Sequence, residues 1–177
     1  MRKIIIIFGL VFGLLAGCFN YSYAAATTDM EKIKTISEIG TLANDENYNE
    51  ALEKCNLALK KYPKEAELYY WSGLIKSYLG DKKSALQDYN KLISMRPKDS
   101  SAYVMRGICK SDLDDPFGAI EDFNKAIEIN PKDSSAYSMR ACVKIEIGDL
   151  NGANSDMNIA NKITDEIEQN MQKNDKK

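Results

Sequence analysis

The heptapeptide PKDSSAY occurs twice in this chain, at Pro97–Tyr103 and again at Pro131–Tyr137. Pro131 follows Pro97 by 34 positions, and this distance is one period of the chain. The similarity extends well beyond these seven letters, because residues 98–131 and 132–165 agree at 16 of 34 positions. Self-similarity at a fixed period of roughly 20–50 residues is the sequence signature of a repeat protein. The sequence therefore predicts an array of units of equal length.

Sliding the chain by further whole periods aligns side chains of similar size. The aligned sets are an alanine column (Ala51, Ala85, Ala119, Ala153), a small-residue column (Gly73, Gly107, Ala141), a tyrosine column (Tyr69, Tyr103, Tyr137) and a bulky column (Cys55, Tyr89, Phe123, Met157). The register predicts four units, at residues 32–65, 66–99, 100–133 and 134–167.

Each unit has the pattern of two helices. In the third unit, apolar residues recur at spacings of three and four over residues 102–108 and again over 117–129, as on one face of a helix. Asp115 before Pro116 is a typical helix start, since aspartate caps free N–H groups and proline has none to lose at the first helical position. The sequence therefore predicts an all-α protein built from helix pairs.

The turns carry matching signals. Gly80 and Gly148 stand between the two helices of a pair, where a positive φ is often required. In the repeated heptapeptide, proline ends the outgoing helix, Asp99 or Ser100 can cap the incoming one, and Tyr103 can pack on its first turn. PKDSSAY is thus the joint between units.

These residues resemble the tetratricopeptide repeat, a 34-residue helix pair with small and bulky residues at fixed slots. The slots are filled, in order, by Tyr103, Gly107, Ala119, Phe123, Ala126 and Pro131. The resemblance implies a right-handed helical solenoid of about four helix pairs, which binds proteins along the groove formed by the first helices.

Several slots depart from the family pattern. The slot that usually holds leucine holds Ser72, Arg106 and Arg140, and a usually aromatic slot holds Lys76, Lys110 and Lys144. We expect the stems of these lysines to cover apolar surface while their amines reach water. In the first unit the glycine is Gly40, one position after the slot that aligns with Gly73 and Gly107. In the last, Ile163, Ile167 and Met171 suggest that the second helix runs on, before a polar tail at residues 168–177.

The first residues have the layout of a secretory signal, with Arg2 and Lys3 before an apolar run of about 13 residues, too short to span a membrane comfortably. We place the signal at residues 1–17 and a flexible tether at 18–31. Leu15–Cys18 reads Leu-Ala-Gly-Cys and resembles the lipobox of bacterial lipoproteins, which implies lipidation of Cys18 and a membrane-attached protein of the cell envelope.

The end of this signal has an alternative reading. Small residues at Ser22 and Ala24, and at Ala24 and Ala26, also satisfy the rule for ordinary signal cleavage. Cleavage there would discard Cys18 and give a secreted or periplasmic soluble protein.

The composition argues against catalysis. The chain has no histidine, and it shows no glycine-rich phosphate loop, GxSxG motif or paired CxxC. We therefore expect no enzyme activity, no cofactor and no metal site. A net charge of −2 and a pI near 5.4 give no footprint for nucleic acid. Cys109 and Cys142 lie on equivalent helices, so a disulfide between them is an open alternative to free thiols.

By resemblance to the family, twelve residues are expected to line the peptide-binding groove. They are Tyr70, Leu74, Ser77, Tyr78, Val104, Ile108, Ser111, Asp112, Ser138, Cys142, Ile145 and Glu146. These slots lack the lysine, asparagine and arginine of relatives that grip a C-terminal carboxylate, so we expect an apolar groove with an acidic edge. Its partner would be an amphipathic helix or extended peptide with a basic flank.

Three other uses of these surfaces stay open. The same side chains can pack between neighbouring first helices, or the groove can hold the chain's own N-terminal segment. As a further alternative, the protein organises a homo-oligomer through its convex face or last helix and binds no peptide.

Overall fold

The computed structural model describes residues 29–174. Within that range the chain forms consecutive helices and no strand. The helices are α1 (29–44), α2 (Tyr48–Lys61), α3 (Ala66–Tyr78), α4 (Lys82–Met95), α5 (Ser100–Ser111), α6 (Pro116–Ile129), α7 (Ser134–Glu146) and α8 (Leu150–Asn174). None of the helices between residues 29 and 174 is both long enough and apolar enough to cross a membrane.

Each helix from α2 onward packs against the next along the chain. In addition, α3 packs against α5 and α5 against α7, so the first helices of successive pairs lie side by side. These first helices form one face of the array, called the inner face below, and the second helices form the other. The predicted all-α solenoid of helix pairs is confirmed.

A glycine opposite an aromatic ring sets the spacing within the central pairs. A Cβ atom added to Gly73 would lie 2.8 Å from the ring of Tyr89, and one added to Gly107 would lie 2.8 Å from the ring of Phe123. Both rings are only 1 % exposed. Glycine is therefore required because the ring occupies the volume that any side chain would need.

The first pair solves the same packing problem differently. Ile39 takes the slot that holds glycine in the central pairs, and it is fully buried against Cys55 and Leu68 in the core of the first units. Gly40, one position later, gives room to Trp71 of α3, whose ring would lie 2.9 Å from an added Cβ. The late glycine thus serves the contact between units rather than the contact within one.

The turn between the helices of each pair contains one residue with positive φ. The predicted positions Gly80 and Gly148 have φ values of 85° and 83°, and Glu46 and Asp114 have the same conformation with φ of 61°. These four positions stand one period apart, so the turn is repeated even where its glycine is not. A non-glycine residue in this conformation costs roughly 1–2 kcal/mol.

Aspartates cap most of the following helices. At the joint between units, Asp99 rather than Ser100 is the cap, because its carboxylate accepts the N–H of Ala102 at 3.3 Å. The carboxylates that accept an N–H at a helix start are those of Asp81, Asp99, Asp115, Asp133 and Asp149.

The two ends of the array have polar residues at positions that hold apolar residues in the central units. Two columns of residues on the second helices pack towards the next pair. The first column is Leu52, Leu86, Ile120 and Asn154, and the second is Leu59, Ile93, Ile127 and Asn161. In α8 both asparagines are exposed. At the other end, Lys34, Ser37 and Thr41 are exposed on α1. Polar outer faces of this kind are typical of the terminal repeats of a solenoid.

Two predicted boundaries need correction. Residues 29–31, assigned to the flexible tether, are already helical in α1. At the other end, α8 is 25 residues long and includes residues 168–174, so the predicted extension of the last helix is confirmed and the tail boundary at residue 168 is wrong. Ile167 and Met171 follow the helical spacing of this extension but remain 49 % and 61 % exposed, so they lie on an uncovered helix face.

Substitution of Gly107 by alanine is expected to lower the free energy of unfolding by about 1–3 kcal/mol, because the new methyl group overlaps the ring of Phe123. Urea denaturation followed by circular dichroism measures the change. The fourth unit offers a matched rescue, since it pairs Ala141 with Met157 at the same two positions. The double variant Gly107→Ala, Phe123→Met should recover most of the loss. Unchanged stability in the single variant would contradict this packing argument.

Candidate functional site

The predicted groove residues lie on α3, α5 and α7, and their exposure divides them into three groups. Tyr78, Asp112, Cys142, Ile145 and Glu146 are exposed; Tyr70, Leu74, Ser77, Ile108, Ser111 and Ser138 are half-buried; Val104 is buried. The exposed group can meet a ligand without any rearrangement. The half-buried Tyr70 and Ile108 pack against the second and third cores, so their substitution would also disturb the fold.

Val104 is a correction to the predicted groove. It is only 5 % exposed and belongs to the core that joins the third and fourth units, with Ala136 and Val143. The small side chain of Ala136 allows α7 to approach α5 and cover Val104. For this residue the alternative reading, packing between first helices, is the right one.

Lys82 connects two of the predicted groove residues across units. Its ammonium lies 3.0 Å from the hydroxyl of Ser77 and 2.6 Å from the carboxylate of Asp112. This bridge runs from α4 to the ends of α3 and α5. Asp112 therefore holds a cation from its own chain. Close by, the rings of Tyr48 and Tyr78 stack with centroids 5.1 Å apart, a contact that the sequence analysis missed.

The basic residues in the departing slots are paired with aspartates. Arg106 makes two hydrogen bonds to Asp122, at 2.8 and 2.6 Å, and Lys110 lies 3.0 Å from the same carboxylate. A further nitrogen of Arg106 donates to Asn90 at 2.8 Å, so this arginine joins α4, α5 and α6. Bidentate, charge-assisted bonds of this kind are among the stronger polar contacts in proteins.

The cluster recurs in the fourth unit with the same geometry. Arg140 binds Asp156 at 2.8 and 2.6 Å, Lys144 lies 2.9 Å from that carboxylate, and Asn124 accepts from Arg140. Burial disfavours the charged form of Asp156, but the hydrogen bonds from Arg140 and Lys144 outweigh it and lower the pKa of Asp156. The carboxylate is 3 % exposed.

The expectation that the three lysines reach water was therefore wrong. Lys76 contacts Asp88 at 2.6 Å, and the side chains of Lys76, Lys110 and Lys144 are only 19–21 % exposed. The aspartates stand at positions 88, 122 and 156, again one period apart. Aligning this column beside the lysine column would have revealed the pairs.

In the first unit the same pair of positions has opposite charges. Glu38 occupies the arginine slot and Lys54 the aspartate slot, and their side chains meet at 2.6 Å. The hydrogen bond from Lys54 lowers the pKa of Glu38. In the second unit Ser72 occupies the arginine slot, and its hydroxyl donates to Asp88 at 2.6 Å. A polar contact between these two positions is therefore present in all four units, although its charges differ.

The pairing leaves an inner face with acidic character. The lysines and arginines of α3, α5 and α7 are held by aspartates of the second helices, as described above. Three carboxyl-bearing side chains are exposed at the inner-face slots; Asp112 is paired with Lys82, and Glu67 and Glu146 remain. Tyr70, Tyr78 and Ile145 provide apolar surface on the same face.

A cavity of about 410 Å³ opens between α1 and α3 at the N-terminal end of the inner face. Its walls are Ile33, Ile36, Ser37, Gly40, Thr41, Asn44, Glu67 and Trp71. The sequence pattern does not point to these residues, because the first unit lacks the tyrosine and glycine that set the register elsewhere. Counting back one period from Tyr70, Leu74 and Tyr78 would have found Ile36, Gly40 and Asn44.

The cysteines after Cys18 are free thiols. Burial raises the pKa of Cys55 to about 12 and also raises the pKa of Cys109, which makes both thiols unreactive. Cys142 is exposed and makes no disulfide with Cys109. Among residues 29–174, no three or more histidine, cysteine, aspartate or glutamate side chains are grouped as a metal site would require. Cys18, the predicted lipidation site, lies outside the described residues.

Comparison with known families identifies the units. One tetratricopeptide repeat family matches residues 66–99 and 100–133, and a second matches residues 123–153. No curated protein matches the chain.

Solved structures share the fold at low sequence identity. A crystal structure of MamA is 20 % identical with a TM-score of 0.71, over 76 % of this chain and 79 % of that one. MamA from Desulfovibrio magneticus RS-1 is 19 % identical with a TM-score of 0.70, over 75 % of each chain. A thermophilic TPR protein from Thermus thermophilus is 20 % identical with a TM-score of 0.69, over 76 % of this chain and 75 % of that one. At this identity the likeness establishes the fold alone.

Replacing Asp156 with asparagine is expected to destabilise the fold by about 1–3 kcal/mol at pH 7, because Arg140 and Lys144 lose their charged partner. The folded-state pKa of Asp156 lies below its ordinary 3.8, so its contribution is complete above that value and disappears as the pH falls through the folded pKa. Urea denaturation from pH 7 to pH 2 should therefore show a smaller acid-dependent loss in the variant.

The exposed Asp165 of α8 provides the matched control for this measurement. Asp165→Asn should leave both the stability and its pH dependence close to those of the parent. Equal pH profiles for Asp156→Asn and the parent would show that the ion cluster contributes nothing to the fold.

Proposed function

We propose, on the premise that this chain carries tetratricopeptide repeats, that it is an exported, lipid-anchored scaffold that binds a protein partner along its inner face. The observation that carries the binding proposal is the row of exposed side chains on the first helices. Tyr78 is 65 % exposed and Ile145 54 % exposed, although both stand on helices whose other apolar residues are largely covered. Exposed aromatic and aliphatic side chains on one face of a helical array are typical anchors for a protein ligand.

The charge of the inner face supports a partner with a basic flank. The basic residues of α3, α5 and α7 are held in ion pairs, whereas Glu67 and Glu146 are exposed. A ligand that brings lysine or arginine is favoured there by electrostatic complementarity, and an acidic one is disfavoured. We propose no enzymatic role.

A different observation favours the second candidate, an organising subunit of a homo-oligomer in the cell envelope. The last helix, α8, extends beyond its own helix pair and exposes Ile167 and Met171 on its extension. An uncovered apolar face on a free helix is a common site of helix–helix association. The polar residues at both ends of the array argue against stacking end to end, so such an oligomer would form through α8.

The double variant Tyr78→Ala, Ile145→Glu is expected to weaken capture of the native partner at least about tenfold, since truncating a central anchor typically costs more than about 1.4 kcal/mol. Its helical circular dichroism should be unchanged because both side chains are largely exposed. Photo-crosslinking from position 142 on the same face, in the cells that produce the protein, measures capture.

A matched control removes equally exposed apolar surface from the second helices. Leu57 and Phe117 are 59 % and 70 % exposed, and the variant Leu57→Glu, Phe117→Ala should retain the partner. Crosslinks from position 142 that join only copies of this chain, together with a doubled native mass, would favour the organising subunit instead.

Attachment to a membrane is proposed from the Leu-Ala-Gly-Cys stretch at residues 15–18. The mass of the mature N-terminal peptide from native membranes should show an acylated Cys18, because two or more acyl chains hold a protein stably on a bilayer. Cys18→Ala should abolish the acylation and release the protein from the membrane fraction, whereas Cys142→Ala should not. A mature chain that begins near Ala25 would instead establish a soluble exported protein.

A further inference from the structure

We propose that the cavity between α1 and α3 binds a basic segment of a protein partner, with an apolar side chain of the segment against Trp71 and a lysine or arginine beside Glu67. This inference deepens the proposed function and rests on it. The cavity holds about 410 Å³, within the range of roughly 300–1,000 Å³ that small-ligand pockets occupy. That volume is ample for one or two side chains of a peptide.

The floor of the cavity is apolar and fixed in place. Gly40 has no side chain, so α1 passes close to the indole of Trp71, which also packs edge-on against Tyr70 with ring centroids 5.4 Å apart. Ile36 belongs to the core beneath it, and Ile33 is 59 % exposed on the wall. An apolar side chain entering here would cover Ile33 and Trp71 without displacing either.

One carboxylate gives the cavity its charge. Glu67 is the only ionisable residue among its walls, and it is exposed. Three lysines near this end have acidic partners: Lys32 contacts Asp29 and Glu65, Lys34 lies 3.9 Å from Glu38, and Lys61 contacts Glu31. Lys64, three residues before Glu67, is exposed and does not pair with it. Glu67 makes no such ion pair with any residue between 29 and 172. A cation from a ligand would therefore complete the pairing.

The charge also selects between two sources of the segment. Residues 18–28, which directly precede α1, contain aromatic side chains but no lysine or arginine. They could place a ring near Trp71 but carry no side-chain cation for Glu67. A partner segment with both an apolar and a basic residue satisfies both parts of the cavity.

Trp71 makes this site directly measurable, because it is the only tryptophan of the chain. The probes are three twelve-residue amphipathic peptides made of leucine with lysine, with glutamine or with glutamate, none of which contains tryptophan. Titration of each into the full chain, with Trp71 emission as the readout, gives its affinity. We expect the lysine peptide to bind most tightly, and its binding to weaken as salt is raised.

Two variants separate charge from packing. Glu67→Gln keeps the size of the side chain and should weaken the lysine peptide about two- to fivefold while leaving the glutamine peptide unchanged. Ile33→Lys removes the apolar wall and adds a competing cation, so it should weaken the lysine peptide further. The matched control is Glu121→Gln, an exposed glutamate on α6 that should leave all three titrations unchanged.

Several results would overturn the inference. Equal affinity for the three peptides with no effect of Glu67→Gln would refute the cationic preference, while the inner-face variant Tyr78→Ala, Ile145→Glu would still test the proposed function separately. No change in Trp71 emission up to about 1 mM peptide would exclude this site. If the lysine peptide binds only after the aromatic residues of 18–28 are replaced with serine, the occupant is the chain's own N-terminal segment.

Discussion

The close approach of the two helices in each central pair depends on a contact between a glycine and an aromatic ring. Gly73 faces Tyr89 and Gly107 faces Phe123, and in each pair the ring occupies the volume of the missing side chain. This contact fixes how far apart the two helices of a unit lie, and so how closely the next first helix can follow. The side-by-side arrangement of α3, α5 and α7, and with it the inner face, is a consequence of that spacing.

The ion clusters connect neighbouring units, whereas the glycines set the spacing within a unit. Arg106 and Arg140 each touch the helix before and the helix after their own, so each connects two units across three helices. Buried ion pairs are a weak source of net stability but tolerate few alternative geometries, because a charge left without its partner is costly. They also withdraw positive charge from the inner face. Packing and the charge of the inner face are therefore coupled through the same arginines and lysines.

The sequence predicts the helix pairs, their period, the turn glycines and the aspartate caps, because each depends on local backbone chemistry that recurs from unit to unit. It predicts the groove less well. Val104 stands in a ligand slot but is covered by α7, and only the distance between helices determines this. The cavity beside Trp71 escapes notice because Gly40 is out of register. The lysine–aspartate pairs join residues on different helices, as Lys76 and Asp88 do, which no single-helix pattern shows.

The asparagines at positions 154 and 161 bear on how such a chain can change in length. They replace the leucine and isoleucine that pack against the following helix pair in the other units. A unit appended after α8 would therefore have no apolar surface to pack against at these positions. A unit duplicated between α3 and α6 would instead meet matching surfaces on both sides. The array is therefore more easily lengthened by duplication of a central unit than by addition at an end. The terminal pairs, with the cavity beside α1 and the extension of α8, would then stay unchanged.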